Sequence, residues 1–271
     1  MIAFVKMHGN GNDFILLDGI GGKLPEADYQ ELSRSVNDRR FGVGGDGLIL
    51  VEKGVDAPYR MRMFNPDGSE SEMCGNGIRC FARLLKDRGY HKTGSVGVET
   101  GAGLLTVQVE PNSWVKVDMG PARLRRDEIP VAGDGTFVDQ EIEGYRGTAV
   151  SMGNPHLVIF VDDVSLVDLE SVGPRLEHHE LFPNRINVHF AQMVDRAHLT
   201  QRTWERGAGI TLACGTGACA VAVAGYLTNR SERKVSVKLL GGTLDIEYLE
   251  NGRVLMTGPA ETVFEGEWPS G

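Results

Sequence analysis

The feature that most constrains the fold is an internal repeat, because the second half of the chain reproduces the motif order of the first. The segment Cys74–Gly77 matches Cys214–Gly217 at an offset of 140 residues, and Gly11–Asn12 matches Gly153–Asn154 at an offset of 142. In both halves the Gly-Asn motif is followed by an apolar segment typical of a strand. A chain of 271 residues is therefore predicted to contain one module built twice.

Each copy has the same order of predicted elements: two strands, a helix, several strands, a central helix and further strands. The central helices are predicted at 76–88 and 218–227, and the second is apolar on every face, which requires burial on all sides. We therefore predict an α/β fold of two pseudo-symmetric domains, each a mixed, mainly antiparallel sheet wrapped around a central helix. The predicted domains are 1–122 and 123–271.

Composition narrows the class of function. The chain has 28 Lys and Arg against 37 Asp and Glu, a formal charge of −9, and such an acidic surface repels nucleic-acid backbones and anionic membranes. A small-molecule substrate is expected, with no nucleic-acid or membrane partner. The first residues lack both a basic region and a long apolar stretch, so a cytoplasmic protein is expected. A homodimer is possible, but the sequence does not decide the oligomeric state.

Two of the four cysteines stand where a reactive thiol is expected. Cys74 and Cys214 each precede a glycine-rich helix start, where backbone N–H groups lack partners and the positive end of the helix dipole favours a thiolate. Cys80 and Cys219 lie further along the same helices and are predicted to be buried packing residues.

Two like modules facing each other would place one thiol on each side of a substrate carbon. Such a pair suits racemisation or epimerisation, in which one group removes a proton and the other returns one to the opposite face. Amides at the two helix starts could hold the adjacent carboxylate, namely those of Gly75, Asn76, Gly215 and Thr216. This scheme requires no metal and no other cofactor.

Other functions fit the sequence less well. The cysteines lack the Cys-x-x-Cys spacing of zinc sites, and a dithiol redox enzyme would usually carry both thiols in one local motif. The glycines of 42–47 match a dinucleotide-binding fingerprint but lead into a strand, whereas that motif opens a helix. A non-catalytic module that binds an amino acid remains an alternative.

Several motifs together resemble the diaminopimelate epimerases, enzymes of the PLP-independent amino-acid epimerase and racemase superfamily. The resemblance covers nearly the whole chain and includes both cysteine motifs. It also implies that the last ten or so residues, in the segment after Gly258–Pro259, pair with the N-terminal module. A related proline racemase-like enzyme is an alternative, although a racemase would more often have histidine at Asn76. The matching segments are Lys6–Phe14, Phe64–Ser69, Glu72–Gly77, Gly153–His156, Trp204–Gly207 and Ala213–Gly217.

The resemblance implies an epimerase that interconverts LL- and meso-2,6-diaminopimelate in lysine and peptidoglycan precursor biosynthesis. It implies that Cys74 and Cys214 are the acid and base, and that Glu205 accepts a hydrogen bond from the α-ammonium group. Asp67 and His156 are expected to position neighbouring groups. The distal end of the substrate is expected to be recognised by Asn12, Asn65, Asn154, Asn187 and Arg206.

One position departs from the family pattern. Many members carry a glutamine where Gly47 stands, and that side chain contacts the substrate. Glycine cannot make this contact, so a water molecule or a neighbouring side chain is expected to replace it.

Overall fold

The two halves of the chain form two units in the computed structural model, which describes residues 1–269. The first unit contains Met1–Val117 and the C-terminal segment that begins at Gly258, and the second contains Asp118–Thr257. Contacts between residues thus divide the chain at 117/118 and 257/258, whereas the repeat alone suggested one division at 122/123. No helix within the described residues is long and apolar enough to cross a membrane.

The first unit is a mixed sheet with two helices. Its strand order is β18-β1-β2-β3-β4-β6-β7-β8, with the β2/β3 and β4/β6 pairs parallel and the other pairs antiparallel. The elements are β1 (Ile2–Gly9), β2 (Asn12–Asp18), α1 (Tyr29–Asn37), β3 (Leu48–Lys53), β4 (Tyr59–Phe64), β5 (Glu70–Ser71), α2 (Gly75–Asp87), β6 (Gly94–Thr100), β7 (Gly103–Val109), β8 (Val115–Pro121, which crosses the division) and β18 (Glu261–Trp268).

The second unit repeats this plan. Its strand order is β9-β10-β11-β12-β13-β15-β16-β17, with the β11/β12 and β13/β15 pairs parallel and the other pairs antiparallel. The elements are β9 (Gln140–Ile142), β10 (Tyr145–Ser151), β11 (Pro155–Phe160), α3 (Leu169–Glu177), β12 (Asn187–Met193), β13 (His198–Glu205), β14 (Gly209–Ile210), α4 (Gly215–Leu227), β15 (Lys234–Leu239), β16 (Gly242–Tyr248) and β17 (Arg253–Gly258).

Both units therefore have the same order of parallel and antiparallel neighbours, and the predicted fold class is confirmed. The central helix of the first unit, α2, contacts β1, β2, β3, β4 and β7. In the second unit α4 contacts β10, β11, β12, β13, β15 and β16. A helix that meets so many strands must be buried around most of its circumference, which explains why α4 consists of small and apolar residues.

Helix boundaries depend on local capping. In the sequence, Pro25 predicts a helix over 26–38. The helix α1 begins only at Tyr29, because the Asp28 carboxylate accepts hydrogen bonds from the backbone N–H groups of Gln30 and Glu31. Both central helices begin directly after a cysteine, at Gly75 and Gly215, rather than at 76 and 218.

Candidate active site

In the first unit, a tight hairpin fixes the position of Asn12. The two loop residues between β1 and β2, Asn10 and Gly11, have φ values of 55° and 84°. Two consecutive positive φ values are typical of the hairpin turn that matches the twist of the flanking strands. Asn12 is the first residue after this turn and pairs with Gly9.

Cys74 is the N-cap residue of α2. Its backbone is extended, with φ −137° and ψ 123°, and its side chain makes no capping hydrogen bond. The thiol instead lies 3.8 Å from Asn12 Oδ1, and Asn76 Nδ2 donates to the same oxygen at 3.0 Å. Three residues predicted to belong to the site, Asn12, Cys74 and Asn76, are thus in contact within this unit.

Asp46 is a functional candidate that the sequence did not indicate. Its Oδ2 atom accepts hydrogen bonds from Asn12 Nδ2 at 2.6 Å and from the backbone N–H of Asp13 at 3.1 Å. Arg39 donates to Asp46 Oδ1 at 2.7 Å. Because the Asn12 nitrogen is held by Asp46, the Asn12 oxygen must face Cys74. The loop with the dinucleotide-like glycines therefore carries a residue that orients Asn12.

The neighbouring carboxylate, Asp13, is held in its ionised form. Burial raises its pKa, but hydrogen bonds from Arg39 and Lys6 outweigh that effect and bring the pKa to about 2. Lys6 Nζ lies 2.6 Å from Asp13 Oδ2. This ion pair fixes the backbone next to Asn12.

Arg79 is a second residue that sequence reasoning missed. Its buried guanidinium donates to Asn10 Oδ1 at 2.8 Å, to the Gly75 carbonyl at 3.2 Å and to the Pro259 carbonyl at 3.2 Å. It therefore ties the hairpin turn to the start of α2. The corresponding position in the second copy is Cys219, so the repeat could not reveal this role.

Asn65 and Asp67 belong to one loop that follows β4. Asn65 Nδ2 donates to Ser69 Oγ at 2.9 Å, and Asp67 accepts from the Ser69 N–H and hydroxyl at 2.9 and 2.6 Å. The hydroxyl and N–H of Ser69 lower the pKa of Asp67. Asp67 thus stabilises the turn that presents Asn65.

In the second unit Cys214 occupies the same position at the start of α4. It is the N-cap residue, with φ −122° and ψ 101°, and only 6% of its surface is exposed. Burial and the negative charge of Glu205 raise the pKa of the Cys214 thiol, although Thr216 and the N–H of Gly217 act in the opposite direction. At Cys214 the effect of burial on the thiol pKa therefore exceeds the opposite effect of these two hydrogen bonds.

Behind Cys214 lies a buried pair of histidines. His156 Nδ1 and His189 Nε2 are 2.9 Å apart, and His156 Nε2 lies 2.9 Å from Asn154 Oδ1. An amide oxygen only accepts, so His156 Nε2 carries a proton and the Asn154 nitrogen faces away from it. His156 thus orients Asn154. His189, the second histidine of the pair, was not among the site residues predicted from the sequence.

Asn187 and Arg206 are connected through the backbone. Asn187 is buried; its nitrogen donates to the Pro155 carbonyl at 2.7 Å and its oxygen accepts from the Arg206 N–H at 3.0 Å. The exposed guanidinium of Arg206 donates to the Asn184 carbonyl at 3.1 Å. Within this unit Asn187 therefore fixes the backbone that carries Arg206.

The carboxylate of Glu205 accepts a hydrogen bond from Thr211 Oγ1 at 2.5 Å.

Gly47 lies where a larger side chain would fit only if neighbouring atoms moved. A Cβ atom there would lie 2.9 Å from Met63 Cε and 3.0 Å from the Phe64 carbonyl oxygen. The methionine end can move, but the carbonyl belongs to a sheet strand. A glutamine at this position would require a shift of β4.

Comparison with known proteins agrees with these motifs. The family model for diaminopimelate epimerase matches residues 4–125 and 148–263. A diaminopimelate epimerase of Moorella thermoacetica is 54% identical, covering 98% of this chain and 99% of the relative. Diaminopimelate epimerase 1 of a Nostoc species is 51% identical, covering 98% of this chain and 99% of the relative.

Solved structures with lower identity share the fold. A Bacillus anthracis phenazine biosynthesis protein of the PhzF family has a TM-score of 0.73 at 19% identity, with 99% of each chain covered. A probable proline racemase of Agrobacterium radiobacter has a TM-score of 0.68 at 14% identity, with 100% of this chain and 94% of the other covered. Motifs, fold and sequence identity together place the chain in the diaminopimelate epimerase family.

Proposed function

We propose that this protein interconverts LL-2,6-diaminopimelate and meso-2,6-diaminopimelate, a step of lysine and peptidoglycan precursor biosynthesis, without PLP. The observation that carries the proposal is the duplicated cysteine N-cap, one at the start of α2 and one at the start of α4. About half of all positions are identical to proteins named diaminopimelate epimerase, over nearly the full chain.

The proposed reaction uses the two thiols as one acid and one base. The thiolate of one cysteine removes the α-proton from one face of the carbon, and the thiol of the other delivers its proton to the opposite face. Each turnover leaves the thiolate on the other cysteine, so the reverse reaction uses the same pair. Because burial raises the pKa of Cys214, we expect this residue to hold its proton before substrate binds.

Backbone amides at the helix starts are proposed to stabilise the carbanion-like transition state. The first intrahelical hydrogen bonds run from Ile78 N–H to the Cys74 carbonyl and from Ala218 N–H to the Cys214 carbonyl. The preceding amides have no partner within their helix and can bind the reacting carboxylate. They are the N–H groups of Gly75, Asn76, Gly215 and Thr216.

The remaining residues are proposed to recognise the two amino-acid ends. Glu205 accepts from the α-ammonium group, and Arg206 binds the distal carboxylate through its planar guanidinium. The amides of Asn65 and Asn154 contribute side-chain N–H donors. Asn12 and Asn187 each use both amide atoms within the protein, so each contributes to substrate binding through its one remaining N–H.

The test is isomerisation of LL-diaminopimelate in D₂O without added PLP or metal. If two different groups act, early product carries deuterium at the inverted carbon, because the donating thiol has already exchanged with solvent. Remaining substrate at first keeps its hydrogen, since return from the original thiol restores it. A single base would carry substrate hydrogen into the early product, and that result would refute the two-thiol scheme.

Alanine variants complete the test. Cys74→Ala and Cys214→Ala should each abolish inversion, whereas Cys80→Ala, the matched buried cysteine on α2, should remain active. Near wild-type epimerisation by either catalytic variant would contradict the proposal. Binding of diaminopimelate without isotope exchange in the wild-type protein would instead support a non-catalytic binding module.

A further inference from the structure

Three metal-ligating groups meet at the start of α4. One donor atom from each of His156, His189 and Cys214 lies within 4.8 Å of the other two, and all three residues are buried. The imidazole rings are 5.0 Å apart between centroids, with Nδ1 of His156 and Nε2 of His189 at 2.9 Å. Two imidazoles and a thiolate form a donor set that zinc prefers.

Packing alone does not explain the histidine pair. At offsets of 142 and 140 residues, the first copy has Phe14 and Ile49 in place of His156 and His189. Both apolar residues are fully buried, and Ile49 lies beside Gly77 as His189 lies beside Gly217. The same fold position is therefore filled by hydrocarbon in one copy, whereas the second copy buries two polar rings there.

The state of the two rings suits metal binding. A neutral imidazole carries one N–H group and one nitrogen lone pair. His156 Nε2–H donates to Asn154, which leaves Nδ1 as the lone-pair nitrogen, directed at His189. Neutral imidazole is the form that ligates metals.

His189 also has an outer partner for its second nitrogen. Its Nδ1 atom lies 3.0 Å from Thr203 Oγ1 and 3.1 Å from Gln201 Nε2, and the buried Gln201 Oε1 has no hydrogen-bond partner among the described residues. With a proton on Nδ1, His189 could donate a hydrogen bond to the Thr203 hydroxyl. A half-turn of the Gln201 side-chain amide would bring Oε1 to the present position of Nε2, where it could accept from the same Nδ1–H group. Nε2 would then offer its lone pair beside Nδ1 of His156. Metal-bound histidines usually donate their other N–H to such an oxygen.

We propose that His156, His189 and Cys214 bind a divalent transition-metal ion, with Zn²⁺ as the best match to this donor set. Binding forms two N–metal bonds and one S–metal bond, moves the His189 proton from Nε2 to Nδ1, and releases the Cys214 proton to solvent. Tetrahedral zinc with bonds of about 2.0–2.3 Å separates its ligand atoms by roughly 3.3–3.6 Å, so the side chains would shift by little more than about 1 Å.

A site with three protein ligands keeps one coordination position for water, which is typical of exchangeable rather than structural zinc. Bound metal would occupy the Cys214 sulfur. If Cys214 is the acid or base of the proposed function, metal binding inhibits isomerisation reversibly. The inhibition rests on the proposed function, whereas metal binding itself does not.

Cobalt(II) tests the binding without reference to activity. Titration of the reduced full-length protein should produce a thiolate-to-cobalt charge-transfer band that saturates at one equivalent, with release of one proton per cobalt bound. Zn²⁺ should then displace the cobalt and abolish the band. Cys214→Ser should abolish the band. His189→Ile, which installs the residue of the first copy, should weaken binding by more than about 100-fold, because loss of a ligand costs more than the 10- to 100-fold typical of an outer partner. His189→Asn serves if the isoleucine variant does not fold, as checked by circular dichroism.

Matched controls locate the site. Cys80→Ala removes a buried cysteine of the first unit, and His179→Gln removes a histidine remote in sequence from α4; both should keep the charge-transfer band. Absence of the band in the wild-type protein, or its persistence in Cys214→Ser, would overturn the proposal. Binding of cobalt by a protein that does not isomerise diaminopimelate would leave the site standing and refute only the proposed function.

Discussion

At the first cysteine, a chain of hydrogen bonds runs from Arg39 through Asp46 and Asn12 to the Cys74 thiol. The direction of this chain is fixed by chemistry, because the Asp46 carboxylate can only accept and the guanidinium can only donate. Asn12 therefore presents its oxygen to the thiol and to Asn76. Asp46 thus controls the geometry of Asn12, a residue that we propose binds the substrate.

Asp46→Ala should lower kcat more than it raises KM. Without the carboxylate, the Asn12 amide loses the acceptor that holds its nitrogen, and small displacements near a reacting group can reduce the rate on the order of 10- to 100-fold. Steady-state kinetics with LL-diaminopimelate measures both parameters. Asp127→Ala, which removes an exposed carboxylate paired with Arg125, is the control and should keep both values. Wild-type kcat in Asp46→Ala would show that Asn12 needs no such support.

Arg206→Lys should reduce kcat/KM by about tenfold while the melting temperature stays nearly unchanged. Lysine keeps the charge but lacks the planar pair of N–H donors that binds a carboxylate bidentately. The side chain is exposed, and its guanidinium donates a hydrogen bond to the Asn184 carbonyl. Kinetics and thermal denaturation of the same preparation separate the effects. A large fall in melting temperature would instead indicate a structural role.

At the level of elements, the sequence predicted the central helices well and the third helix poorly. Cysteine followed by glycine is a local signal for the start of a helix. The observed starts of α2 and α4 are therefore within three residues of the predicted starts. The helix α3 contains Gly173 and Pro174, which normally argue against a helix. A Cβ atom at Gly173 would lie 2.6 Å from the Trp204 ring, so tertiary packing explains the glycine and local propensity could not predict it.

The equivalent glycines of the two central helices should respond differently to alanine. In Gly217→Ala the new Cβ would lie 2.2 Å from Cε1 of His189, a buried ring whose Nδ1 lies within hydrogen-bond distance of Thr203 and Gln201. We expect a loss of about 1–3 kcal/mol in the free energy of unfolding. In Gly77→Ala the nearest atom is Ile49 Cδ1 at 3.0 Å, which can rotate away, and the better helix propensity of alanine offsets the strain.

Urea denaturation of both variants gives the comparison. The prediction concerns the difference between them, which is insensitive to the method of extrapolation. Equal destabilisation by the two substitutions would show that the surroundings of the two helices are more alike than His189 and Ile49 suggest. A stabilised Gly217→Ala would show that His189 can move away from α4.

For the whole molecule, the duplication was the most informative property of the sequence. It predicted two sheets of like topology, because equal motif order implies equal element order, and the pairing directions agree strand by strand. It could not predict where the copies differ. Asp46 and the pair of His156 and His189 have no counterpart that repeats their chemistry, and contacts between distant segments decide their roles.

Stability of the whole chain should decline as the pH falls from about 6.5 toward about 4.5, chiefly through the two buried histidines. Burial holds the pKa of His156 well below 6.5 and that of His189 at about 3, whereas both would titrate near ~6.5 when unfolded. In this window the unfolded state binds more protons than the folded state. The free energy of unfolding therefore decreases as the pH decreases, by at most about 2.7 kcal/mol per pH unit for two such groups. Asp13 has a pKa of about 2 in the folded protein and near ~3.9 when unfolded, so the stability it contributes is lost only below about pH 5. In His189→Ile one histidine is gone, and the slope of unfolding free energy against pH, measured by urea denaturation, should fall by about half. An unchanged slope would mean that His189 is protonated to the same extent in both states, and therefore that it is not buried as a neutral ring.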